Sequence, residues 1–186
     1  VAIITTAKVK TLLQISGSTY DSLIDELIPA FQNWIVEYLQ NWFHTGIYLD
    51  ASTIAFVHSE PDTITDSDEG FVDADFTDSI DIHVSGSKDN DGIYAVDTAA
   101  AGTLKLESGE ELIAEDAGEG VTITRVKFPK ALWMPTALCI KVDMAKRDPS
   151  LKSKSLADHS ESYSEDGRYP PALLKMFNPW KQFNYP

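Results

Sequence analysis

The sequence predicts a mixed α+β protein: a small α-helical bundle carrying an inserted all-β domain, either a small barrel or a sandwich. Three observations predict it. Apolar residues recur every three or four positions in residues 1–50 and again in 128–186, as on a helix face, but at every second position in 51–127, as along a strand. The composition shifts at the same two places, from helical and Trp-rich to Gly-, Thr- and Asp-rich. Charge shifts as well: residues 50–127 hold 19 acidic and 4 basic residues, leaving 10 and 11 for the rest, so the middle carries the whole net charge of −14. The domains read as 1–50 with 128–186, a helical core ending in a C-terminal arm and tail, and 51–127, an acidic β-domain.

Each element follows from a local signal. In "TTAKVKTLLQI", Thr5 or Thr6 is a candidate N-cap before Val9, Leu12 and Leu13 at helical spacing. "SGST" then makes a turn, with Ser18 or Thr19 as a second cap and Asp21 placed to favour the positive helix end. The long helix that follows has a stripe of Tyr20, Leu23, Leu27, Phe31, Trp34, Tyr38 and Trp42. Pro29 interrupts it and predicts a kink, yet the stripe stays in phase, which predicts one bent helix. From Ser52, "STIAFVHS", "DTITDS", "SIDIHVSGS", "GIYAVDT", "GTLKLES" and "GVTITRVKF" read as short strands, with Asn90, Asp91 and Gly92 in a tight turn where φ > 0 is tolerated. "KALWMPTALCIKVDMAKRD" reads as a third helix, with Pro135 near its start and Lys146 and Arg147 at its C-terminus. A Ser-rich polar stretch, residues 150–167, reads as a long loop or a segment that orders against a partner. "PPALLKMF" is a last short helix, and the tail "NPWKQFNYP" exposes aromatics as an interaction patch.

Composition narrows the function. No apolar run approaches the roughly 20 residues of a membrane span, and the N-terminus has no signal-peptide pattern, so the chain reads as a non-exported protein without a membrane partner. The single Cys139, on a helical segment, reads as a core thiol. The negative charge disfavours gripping nucleic acid. His44, His58, His83 and His159 show no zinc-ligand spacing. Asp89, Asp91 and Gly92 mimic part of a calcium loop, but Ser87 and Thr98 stand where Asp and Glu are needed. No nucleophile elbow or phosphate loop is present, so no catalytic, cofactor or metal residue is assigned and no enzyme is expected.

Three segments together resemble the head-tail connector (adaptor) family of tailed bacteriophages: "TAKVKTLLQISGSTYDSLIDELIPAFQNWIVEYLQNWF", "FPKALWMPTALCIKVDMAKRD" and "SLADHSESYSEDGRYPPALLKMFNPWKQF". The resemblance covers somewhat over half the chain. It implies a short helix, a long helix, a third helix, a Ser-rich arm and a final short helix. It further implies a structural virion subunit, made in the host cytoplasm and placed at the head-tail junction. There a homo-oligomeric ring of about twelve copies would sit below the portal protein, meet the next tail or stopper component, and let genome DNA pass without sequence-specific binding. The middle departs from the family's short connection. It is similar to a small β-module recurring in phage virion proteins, with Ser79 where such modules usually carry Gly after the turn that begins at Phe76.

On this reading Trp34, Trp42, Tyr169, Trp180, Phe183 and Tyr185 are the candidate oligomer or partner contacts, because buried aromatics dominate interface energetics. Packing in the chain's own core is the alternative for Trp34 and Trp42, whose spacing is helical. A different class of function also fits: a binding module whose acidic β-domain recognises a glycan, cation or host surface. A hydrolase using two carboxylates of unequal pKa comes third.

Overall fold

The structure, a computed structural model, describes residues 2–147 and 169–182. The elements in chain order are α1 (Thr6–Leu13), α2 (Asp21–Leu39), β1 (His44–Ala51), β2 (Ile54–Val57), β3 (Thr63–Asp66), α3 (Gly70–Asp73), β4 (Ile80–Ser85), β5 (Gly92–Ala100), β6 (Thr103–Leu106), β7 (Val121–Val126), α4 (Trp133–Arg147) and α5 (Pro171–Lys175). Single 3₁₀ turns precede α4 at Lys130–Leu132 and follow α5 at Asn178–Trp180. The chain divides into two compact units, a sheet unit of Trp42–Lys127 and a helical unit of Ala2–Asn41 with the described residues from Phe128 onward.

In the helical unit α1 begins where expected. Thr5 is extended and its hydroxyl accepts the Lys8 amide at 3.3 Å, satisfying one of the free N–H groups of the first turn. Neither Ser18 nor Thr19 caps α2 with its side chain. The Ser18 carbonyl accepts the Asp21 amide at 3.1 Å, and Asp21 pairs with Lys10 at 2.6 Å. α2 runs unbroken through Pro29, which is exposed, while Ile24, Leu27, Ile28, Phe31, Ile35, Val36 and Leu39 are buried. α1, α2 and α4 pack on one another. α4 contributes Ala137, Cys139, Ile140 and Met144 to the core, so the thiol is buried as expected.

The sheet unit is one antiparallel sheet of seven strands in the order β1-β7-β4-β5-β6-β3-β2. Side chains alternate across it, so Ile80, Ile82 and Val84 of β4, Val121 and Ile123 of β7 and Leu104 and Leu106 of β6 fall in one core, with Phe71 from α3 and Phe76 after it. β1 and β2 are the two edges, yet only Ser52 and Thr53 separate them. That link spans at most about 11 Å, so the sheet has to curl, wrapping its apolar face around the core. The outer edge of β2 is capped by the loop before β7, where Phe56 and Glu115 exchange backbone hydrogen bonds of 2.9 Å in both directions.

The expected architecture is corrected here. The class is mixed α+β, but the chain is not a helical bundle carrying a separate barrel or sandwich. Its main feature is a single seven-stranded antiparallel sheet accompanied by a few helices. A closed barrel would pair β1 with β2, and no ladder does so; a sandwich would need a second sheet among the described residues. The difference begins at β1. Residues 44–50, "HTGIYLD", fall in the flank expected to be helical, but Ile47 and Leu49, with Ala51 after them, pack against the sheet core while Tyr48 and Asp50 face out. The turn before β5 also differs. Its positive φ lies at Gly86, +85°, where a Cβ would stand 2.6 Å from the Gly120 carbonyl oxygen, and Asn90 and Asp91 serve through their side chains. The Ser-rich stretch 150–167, His159, Phe183 and Tyr185 lie outside the described residues.

Candidate functional site

The helical unit gathers an aromatic group. Phe31 and Trp34 stand about one turn apart on α2, and Tyr169, just before α5, meets both: its ring is 4.7 Å from Trp34 edge-on and 6.0 Å from Phe31. Its hydroxyl donates to the buried Asp143 carboxylate at 2.6 Å. Tyr169 is therefore fully enclosed and joins α4 to α2 within this chain. Trp34 also stacks on Tyr38 at 5.0 Å, and the Lys181 ammonium lies 4.7 Å above the Tyr38 ring. Trp180 is half-buried. The stretch that carries it is tied to the end of α2, the Asn41 side chain donating to the Trp180 carbonyl at 2.9 Å and the Gln182 amide to the Leu39 carbonyl at 2.9 Å.

Trp42 belongs to the sheet unit and is assembled with two histidines. His83 points from the outer face of β4, the face opposite the core, and Trp42 stacks on it at 3.9 Å with only 16° between the planes. His44 Nε2 lies 3.1 Å from His83 Nδ1. One ring of such a pair donates and the other accepts, so the accepting ring is neutral. Burial, then the neighbouring His44, push the His83 pKa down to about 4, against a smaller upward pull from Asp91. Burial also lowers His44. No sequence spacing announces this cluster: the two histidines are 39 residues apart and meet because β7 pairs with both β1 and β4.

The acidic residues turn out to be structural where they are buried. Burial would raise the Asp62 pKa, but the amides of Leu112 and Ser59, at 2.5 and 2.6 Å, and the His58 ring at 3.2 Å reverse this and hold it low. Asp66 is held low in the same way, against its burial, by Thr53 and the amides of Gly70 and Asp68. Around the turn that mimics a calcium loop, Asp91 accepts from Ser87, and Glu115 from Lys88 and the Asn90 side chain. Asn90 itself is buried and exchanges bonds with the Ile113 amide and carbonyl at 2.8 and 2.9 Å. These oxygens are spent on backbone N–H groups and neighbouring side chains. Among the described residues no three His, Cys, Asp or Glu side chains gather to hold a metal ion, and no helix is long and apolar enough to cross a membrane.

What the arrangement can do is present surfaces: an acidic sheet with exposed Tyr48 and Trp42, and a helical unit bearing exposed Met134 and Met176. No protein-family model and no curated protein matches this sequence.

Proposed function

We infer that the chain is a structural subunit of a tailed-phage virion, a head-tail connector that forms a ring below the portal and lets DNA pass. One observation carries the reading. The segments that resemble the connector family are separated by the sheet residues in sequence, yet α1, α2 and α4 pack into one compact unit. A ring subunit built from those segments requires that arrangement. The charge pattern agrees with it: the sheet unit carries 19 acidic and 4 basic residues, a surface that repels DNA phosphates while the helical unit stays near neutral.

The test is the solution mass of the purified chain by light scattering across a concentration series, alone and with the portal protein of the same virion, followed by negative-stain images of the largest species. Closed rings are the expected result. A chain that stays monomeric in both settings overturns the reading. Saturable binding of a glycan or cation by such a monomer would make it a binding module instead.

A further inference from the structure

α4 is apolar on two faces. Its inner side supplies core residues, while Met134, Leu138, Lys141 and Val142, spaced as i, i+4, i+7 and i+8, form a second stripe that this chain leaves half-exposed or exposed. Met134 is 43% exposed. A surface helix with one partner has no use for a second apolar stripe, so this one is placed to meet another surface. Its one charge, Lys141, has no ion-pair or hydrogen-bond partner among the described residues.

The sheet unit has a matching gap. β1 is paired on one side, and its exposed outer surface offers Tyr48, 61% exposed, and Asp50. Natural sheets protect such margins with a bulge, a charged residue, a helix or a loop. β2 has its loop, at Glu115; β1 has a register shift between His44 and Tyr48 and no bridge of that kind among the described residues, and its Tyr48 and Asp50 stay exposed. Lengths agree: 15 helical residues in α4 span about 22 Å, and the eight residues of β1 about 26 Å.

Charge selects the occupant. The helical unit as a whole holds 11 basic and 10 acidic side chains, whereas the sheet unit holds 4 and 19. Two sheet units therefore repel, and α4 on α4 would leave the exposed Tyr48 and Asp50 of β1 unmatched. We propose that α4 of one copy covers β1 of the next, with Met134, Leu138 and Val142 against Tyr48 and with Lys141 facing Asp50. The interface is head-to-tail, each copy using both surfaces, and such a contact propagates into a ring or a filament. This inference rests on the ring reading and names the contact that would build the ring.

A charge swap in the full-length chain tests it. Lys141→Glu and Asp50→Lys, made singly, each set like charges together and raise the concentration needed for half-assembly by about tenfold or more. Both changes in one chain restore the opposite pair at every interface and recover assembly. Light scattering reads the mass, under whichever of the two conditions above supports assembly, and circular dichroism checks that each variant is folded. Assembly that ignores both single changes overturns the contact and leaves the ring reading standing. Filaments or short chains that obey the swap keep the contact and sink the ring. Failure of the double variant to recover, or a chain that associates in neither condition, overturns the contact.

Discussion

His83 is buried beneath Trp42 and bonded to His44, and its pKa lies at about 4 rather than 6.5. A histidine with a depressed folded-state pKa stabilises the fold fully above its unfolded pKa and loses that contribution as pH falls. The loss runs from pH 6.5 down to about 4 and amounts to on the order of 3 kcal/mol. His44, shifted the same way, adds to it. Urea unfolding at pH 7 and at pH 4.5 should show the drop, and His83→Phe, which keeps a flat ring under Trp42, should flatten it. An unchanged drop in the variant would assign the acid sensitivity elsewhere. Ser79 makes a second residue-scale case. It sits at φ +56°, a left-handed conformation that costs a non-glycine residue roughly 1 kcal/mol. Ser79→Gly should raise the melting temperature by several degrees, and a lower value would show that the serine side chain outweighs the strain.

At the scale of elements, the loop between β6 and β7 is pinned at Leu112 by Asp62 and at Ile113 by Asn90. Asn90 exchanges hydrogen bonds with Ile113 and donates to Glu115, while Glu115 caps β2. Asn90→Ala should cost about 2 kcal/mol or more and speed amide exchange over residues 110–116; equal exchange in the two proteins would refute the pin. This also marks what the sequence made legible. Six strands and the main helices follow from period-two and period-3.6 runs that are read locally, and Thr5 is a cap by its chemistry. β1 escaped because Tyr38 and Trp42 carry the helical spacing past the true end of α2, where Gln40 turns left-handed at φ 51° and Phe43 at φ 57°. Neither residue advertises such a turn as glycine would. The Trp42, His44 and His83 stack was hidden for a different reason: it exists only in the register of β1, β7 and β4, which no local pattern encodes. Of the aromatic candidates, Tyr169 shows how far composition reaches. Its type fits an interface as well as a core, and only its bond to Asp143 and its burial tell the two apart.

Across the whole molecule the dominant asymmetry is electrostatic. Fifteen excess negative charges on the sheet unit repel one another, with a screening length that shrinks from about 30 Å at 0.01 M salt to about 10 Å at 0.1 M. Adding salt over that range should raise the unfolding midpoint of the sheet unit and slow its amide exchange, with little change in α2 and α4. A uniform response, or none, would mean that local pairing already neutralises the charge. The ordering of the strands has its own consequence, one for synthesis. β1 is made first among the strands, but its partner β7 is made last, and about 70 residues separate the end of one from the start of the other. At ribosomal speeds of about 5 to 20 residues per second, β1 waits roughly 4 to 14 s with no strand beside it. The sheet cannot be complete before synthesis has passed β7, since the last strand translated closes on the first.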